Sequence, residues 1–235
     1  MTSRPTSCPD AGPATNQGPV AARTRGAIVK TAADLFVRRG YAGASMDLIA
    51  AEAGVARQTI YNQFESKESL FRAIFSALAD EAMTPLAVAA RKGGAVRATL
   101  LHLARSHMAD MLSPTKLALH RLVVAEVEQF PELGRAIYDA GATRVVAHLA
   151  DFLHQQSRLG HLDVPNPKIA AAQFLGMLVG LQQFRALMKV EVPEREIDVT
   201  VTEAVDTFLR AFAPQQRASE RGAKAAPGPA PSTTE

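Results

Sequence analysis

The sequence predicts an all-α fold. No stretch between residues 20 and 213 alternates apolar and polar side chains over the length of a strand. Apolar residues instead recur three and four apart, in segments rich in Ala, Leu, Glu, Gln and Arg. The punctuation is also that of helices: Ser113-Pro114 and Asn166-Pro167 read as a cap followed by proline at the first helical position, and Gly40 and Gly160 read as stops.

About nine helices follow in order. The first runs from Ala21 to Arg39, with Ile28, Ala32, Leu35 and Phe36 at helical spacing, and ends at Gly40. Ser45 caps a short second helix carrying Met46, Ile49 and Ala53. Gly54 interrupts, and a third short helix runs from Ala56 to Gln63. Ser66 caps a longer fourth, with Leu70, Phe71, Ile74 and Leu78 inward and Pro85 near its end. Beyond Gly94 come helices from Ala95 to Leu112, from Pro114 to Gln129, from Pro131 to near Gly160, from Pro167 to Met188 and from Glu194 to Phe212. Residues 1–19 and 214–235, rich in Pro, Gly, Ser and Thr, are expected to be disordered tails, because they bury too little apolar surface to offset the entropy of ordering. The body divides into a first domain at 20–66 and a larger domain at 67–213.

Composition narrows the class. Of 235 residues 47% are hydrophobic, enough for a sizeable core, while a net charge of +3 neither demands nor excludes nucleic acid. The single cysteine, Cys8, cannot form an internal disulfide, which fits a reducing, cytoplasmic setting. The N-terminus has no apolar signal region, and the longest apolar stretch, residues 169–181, is interrupted by Gln173 and too short to span a bilayer, so no membrane is expected.

The informative segment is SMDLIAAEAGVARQTIYNQFESKESLF, residues 45–71. Two short helices flank Ala53-Gly54-Val55, where glycine permits the sharp reversal of a helix-turn-helix whose second helix enters the major groove of DNA. Ile49, Val55, Ile60 and Phe64 would anchor the pair on the first helix. Arg57, Gln58, Thr59, Tyr61 and Asn62 are left facing outward, where they can donate to phosphates or read base edges. Lys67, at the start of the fourth helix, is placed to meet a phosphate, or is simply a solvated first-turn residue. Arg23 and Arg25 either follow the DNA backbone or belong to a frayed terminus. From Arg23 to Lys67, seven basic residues (Arg23, Arg25, Lys30, Arg38, Arg39, Arg57, Lys67) stand against four acidic ones (Asp34, Asp47, Glu52, Glu65), which favours a phosphate-facing surface.

This segment resembles the signature of the tetracycline-repressor (TetR) family. The matching residues are Ala32-Ala33, Leu35-Phe36, Gly40-Tyr41, Ile49-Ala50, Ala53-Gly54-Val55, Thr59-Ile60-Tyr61, Phe64, Ser66-Lys67-Glu68 and Leu70. FPELGRAIYDAG followed later by AAAQFLGMLVG resembles the C-terminal pattern of an AefR-like subset. The resemblance implies an α-helical homodimer that binds an inverted-repeat operator in double-stranded DNA, usually as a repressor. It also implies a small-molecule effector held by the larger domain. The expected DNA contacts are Ser45, Arg57, Gln58, Thr59, Tyr61, Asn62 and Lys67. One departure is Ala56, where the family usually has a capping Ser or Thr that also touches phosphate.

For the larger domain, His102, Met108, Met111, His120, Phe130, Tyr138 and Met177 are candidates for lining an effector pocket, or else fill the core. The resemblance puts the dimer interface on the last two long helices. Gly176, Gly180 and Phe208 are its candidates, although the glycine pair could equally mark packing within the chain. An all-α enzyme and a helical adaptor that does not bind DNA are the alternatives. No H-E-x-x-H, phosphate loop or G-x-S-x-G supports the enzyme, and the spacing of the six histidines suggests neither a metal nor any other cofactor.

Overall fold

The computed structural model describes residues 19–92 and 95–214. Both expected tails therefore lie almost wholly outside the described residues. Within them the chain is helical, with no strand, in the order α1 (Pro19–Gly43), α2 (Met46–Glu52), α3 (Arg57–Gln63), α4 (Lys67–Lys92), α5 (Val96–Met111), α6 (Pro114–Glu126), α7 (Pro131–Arg135), a π-helical segment (Ala136–Ala142), α8 (Thr143–Arg158), α9 (Pro167–Leu187) and α10 (Glu194–Ala211). The rod from Pro131 to Arg158, expected as one regular helix, contains that π segment. The fourth helix runs past Pro85 to Lys92 rather than ending beside it.

The chain forms two compact units that divide between Ile74 and Phe75. The sequence placed the boundary at 66/67. The first two turns of α4 belong with α1–α3 because Leu70, Phe71 and Ile74 are buried there. Phe71 meets Phe36 at 5.3 Å and Tyr41 at 5.4 Å between ring centres, edge to face, closing an aromatic cluster. The helix geometry of α1 breaks at Gly40 (φ 74°, ψ 168°), which turns Tyr41 inward to complete that cluster.

The second unit is a helical layer around Leu100, Leu103, Met108, Leu149, Phe152, Phe174, Val201 and Phe208. Phe174 and Phe208 pack edge to face at 5.0 Å. Bidentate ion pairs tie α5 to α10 through Arg97 and Asp206, and α4 to α8 through Arg144 and Asp80. Arg121 on α6 donates to the carbonyls of Ala186 and Leu187, so a cation caps the C-terminal end of α9. The caps read from the sequence at Ser45, Ser113 and Asn166 each accept from the backbone N–H three residues on. No described helix is long and apolar enough to cross a membrane.

Candidate nucleic-acid interface and effector cavity

The turn between α2 and α3 is a Schellman motif. Val55 N–H donates to Ala50 O at 3.0 Å and Gly54 N–H to Ala51 O at 3.2 Å, with Gly54 at φ 66°. Ile49, Ala50, Ile60 and Phe64 are buried and hold the two helices on α1. Arg25 has a role the sequence did not suggest. Its Nη1 donates to Gln63 O at 3.0 Å and its guanidinium lies 4.2 Å over the Phe64 ring, clamping the C-terminal end of α3 onto α1.

With its inward side fixed, α3 presents Arg57, Gln58, Tyr61 and Asn62 to solvent, with Thr59 half-buried. Tyr61 is 40% exposed, so it is no core aromatic. The outward groups also interact with one another. Gln58 Nε2 donates to Asn62 Oδ1 at 2.7 Å, one turn on, and Arg57 pairs with Asp47 at 2.9 Å. Arg38 pairs with Glu52. Two of the basic residues counted above are thus partly neutralised at the surface. Lys67 is half-buried: its Nζ donates to Tyr41 O at 2.8 Å and sits 4.3 Å from the Tyr41 ring centre. It therefore joins the start of α4 to the end of α1 as well as carrying a charge. Ser45 is occupied as the α2 cap, accepting from Leu48 N–H at 3.2 Å.

Ala56 occupies the N-cap of α3 at φ −63°, ψ 146°, with no side-chain hydrogen bond. Ser113 has the same backbone angles and does cap α6. A serine at 56 needs no backbone change to do likewise. Ala56→Ser is expected to stabilise α3 by about 1 kcal/mol, read as roughly fivefold slower hydrogen exchange of the α3 amides. Unchanged exchange would show that the cap is not what limits α3.

The second unit contains a cavity of about 270 Å³ between α4, α5, α6, the π segment, α8 and α9. Of the seven candidate pocket residues, Met111 and His120 line it. The other five do not. Met108 is fully buried in the core and Met177 lies on the outer face of α9. Tyr138 is 68% exposed, turned outward within the π segment. His102 is exposed on α5, and Phe130 is half-buried at the corner before α7. Helical phase decides this: only one side of each helix can face the space, and residue type alone does not reveal which.

The polar lining that the sequence did not single out is His107, Lys116 and Gln183. His107 had a signal: it falls in register with Leu100, Leu103, Ala104 and Met111 on the apolar side of α5. Its ring is 4% exposed and its Nδ1 is buried without a hydrogen-bond partner. Burial, then the nearby Lys116, push its pKa down to about 4, with Asp110 opposing. Lys116 is itself buried and donates to Asp110 at 2.7 Å. His120 Nδ1 lies 2.8 Å from Lys116 O, so that nitrogen carries the proton and Nε2 is left as an acceptor, 3.5 Å from Gln183 Nε2. Burial lowers the His120 pKa as well, against the raising effect of its hydrogen bond to Lys116 O.

A histidine held neutral makes stability depend on pH. The unfolded His107 titrates near 6.5 and the folded one near 4, so between these values the unfolded chain binds more protons. Stability from this group is complete above about pH 6.5 and falls as pH drops through 4, by on the order of 3 kcal/mol. His120 adds to the loss in the same direction. Thermal melts from pH 7 to 4.5 should show a shallower decline for His107→Phe than for wild type. Parallel declines would mean that the ring is not buried as described.

In the candidate dimer region, Gly176 and Gly180 are exposed on α9, and a Cβ at either would meet nothing within 4 Å. Among the described residues nothing packs closely against this pair. Phe208, by contrast, is buried against Phe174 and is core rather than interface. It sits on the inward side of the amphipathic α10, whose buried positions are Val201, Ala204, Val205 and Phe208.

A buried three-helix unit that displays the outer side of the second helix of a helix-turn-helix defines a class: DNA-binding proteins that read the major groove. Here it is joined to a larger helical unit with a cavity. Residues 28–74 match the tetR family of bacterial regulatory proteins, and residues 98–214 match the AefR-like transcriptional repressor C-terminal domain. The chain belongs to the TetR family of transcriptional regulators. A TetR-family regulator from Mesorhizobium loti has 29% identical residues and a TM-score of 0.69, covering 82% of this chain and 98% of that one. The flavonoid-responsive regulator FrrA has 26% identity and a TM-score of 0.64, covering 83% and 99%. Among curated relatives, the HTH-type regulator YhgD of Bacillus subtilis is 43% identical over 65 residues, 25% of this chain and 34% of that protein. The transcriptional activator FasR of Mycolicibacterium smegmatis is 37% identical over 67 residues, 28% and 31%. The chain thus matches about a third of the length of these curated relatives.

Proposed function

We propose that this TetR-family regulator binds an inverted-repeat operator as a homodimer in the cytoplasm and represses transcription until a small, largely apolar molecule enters the cavity of the second unit. The observation that carries this reading is the outer side of α3, where Gln58, Tyr61 and Asn62 stand exposed on a helix whose other side is locked into a core. Gln58 and Thr59 lie on the first turn of α3, from which side chains reach base edges, while Tyr61 and Lys67 supply a hydroxyl and a charge for phosphates. Two such helices related by a twofold axis fit half-sites about one helical turn, 34–36 Å, apart.

Dimerisation through α9 is supported by its outer side. Met177, Leu181, Phe184 and Met188 form an exposed apolar stripe at helical spacing, with Gly176 and Gly180 beside it. Repression is supported by the AefR-like repressor match, and effector control by the cavity and by the likeness to a flavonoid-responsive regulator. Selection of bound fragments from random double-stranded DNA tests the reading. An enriched palindrome is expected, and recovery of unenriched DNA would sink the sequence-specific role.

A further inference from the structure

We propose, building on the DNA-reading role given above to α3, that Arg57 reads a guanine in each half-site through its two Nη nitrogens, and that Asp47 positions it to do so. Arg57 is the first residue of α3, and Asp47 stands in the first turn of α2. Both face outward, the Arg57 side chain 71% exposed and that of Asp47 49%. The fold does not depend on their pairing. An exposed ion pair adds little to stability, and α2 and α3 are already held by Ile49, Ala50, Ile60 and Phe64.

Geometry fixes which edge of the guanidinium is available. Arg57 Nε lies 2.9 Å from Asp47 Oδ1, and the guanidinium carbon lies 5.6 Å from the centre of the Tyr61 ring. A carboxylate from α2 and a ring one turn on in α3 thus hold the same group. Among the described residues no hydrogen bond engages Nη1 or Nη2. These two nitrogens form the flat fork that can bond O6 and N7 of guanine together. Because the side chain is already restrained, less rotamer freedom is lost on binding.

Charge separates a base from a phosphate as the partner. A phosphate on the Nη fork would bring an anion beside the Asp47 carboxylate, and the ion pair as a whole offers no net charge to attract one. The guanine edge is neutral and meets no such repulsion. Its two acceptors also match a group that has only donors, whereas adenine turns its N6 amine, a donor, toward the fork. Base edges are met by the N-terminal residues of a recognition helix, which is where Arg57 stands.

The test uses the full-length protein and the palindrome recovered by selection from random double-stranded DNA. Each base pair of the half-site is replaced symmetrically in turn, and affinity is read by fluorescence anisotropy. Wild type is expected to prefer guanine at a position distinct from the one that responds to Gln58→Ala. Arg57→Ala, checked for native helicity by circular dichroism, should abolish that preference, worth about 5-fold to 150-fold per half-site, and leave the others intact. Asp47→Asn should weaken the same preference without moving it, and should have no further effect on it in the Arg57→Ala background. An Asp47 that merely complements the dipole of α2 would lower the melting temperature and leave base preference unchanged, which would overturn its positioning role. A palindrome without such a guanine, or Arg57→Ala weakening all sequences alike, would overturn the assignment of Arg57. So would Asp47→Asn strengthening all sequences alike, the mark of a carboxylate that screens a phosphate contact. Any of these leaves the sequence-specific role of α3 standing, whereas unenriched DNA in the selection would sink that role and this assignment with it.

Discussion

Phe184→Glu is expected to convert a dimer into a folded monomer and to reduce operator affinity by at least about a hundredfold. Phe184 is 60% exposed and Leu181 69% exposed, so neither contributes much to the core of its own chain, and helicity should be unaffected. In an isologous dimer every interface residue is counted twice. Burying the exposed 60% of one Phe184 contributes about 1–2 kcal/mol, so losing two costs about 2–4 kcal/mol, and the penalty for two carboxylates facing an apolar partner adds at least about 1 kcal/mol more. That corresponds to two to four decades in the dimer dissociation constant. Loss of the second reading helix then removes the gain from simultaneous engagement of both half-sites. Gly180→Leu should act in the same direction, because its side chain enters open space in the single chain but blocks close approach of a second α9. Sedimentation equilibrium at low micromolar concentration reads both variants. If both stay dimeric while folded, the interface lies elsewhere.

Gln58→Ala and Lys67→Ala should weaken operator binding in different ways. Gln58 is expected to lose its discrimination at one symmetric pair of base positions, about 1–3 kcal/mol each and so about 2–6 kcal/mol per dimer, with adenine the base that its amide pairs best. Its hydrogen bond to Asn62 pre-orients the amide in the free protein, so Asn62→Ala should blur the same base position without moving it. Lys67→Ala should weaken all sequences alike and lower the slope of log affinity against log salt by about 0.9 per phosphate, about 1.8 per dimer. Because Lys67 also donates to Tyr41 O, its loss should lower the melting temperature as well, and the DNA titrations belong well below that temperature. Binding selections on both variants decide the matter. A changed preferred sequence with Lys67→Ala and an unchanged one with Gln58→Ala would mean that α3 does not lie in the groove as supposed.

Much was legible in the sequence because it depends on neighbours along the chain. Helix starts at Ser45, Ser113 and Asn166, the reversal at Gly54, the break at Gly40 and the apolar registers of α1 and α4 are local properties, set by backbone angles, caps and a period of 3.6 residues. The helix-turn-helix is compact enough that its outward residues follow from its inward ones. Tertiary structure decided everything that needs a partner remote in the chain. It alone set the clamp of Arg25 on Gln63 and Phe64, 38 residues away in the case of Gln63, and the anchoring of Lys67 on Tyr41, 26 residues back. It also decided that His107, rather than His102 or Tyr138, faces the cavity, and that Phe208 belongs to the core while Phe184 faces out. The physical reason is that amphipathic pattern shows which side of a helix is buried. Only the packing of helices from distant parts of the chain determines whether that side meets a filled core or an open space.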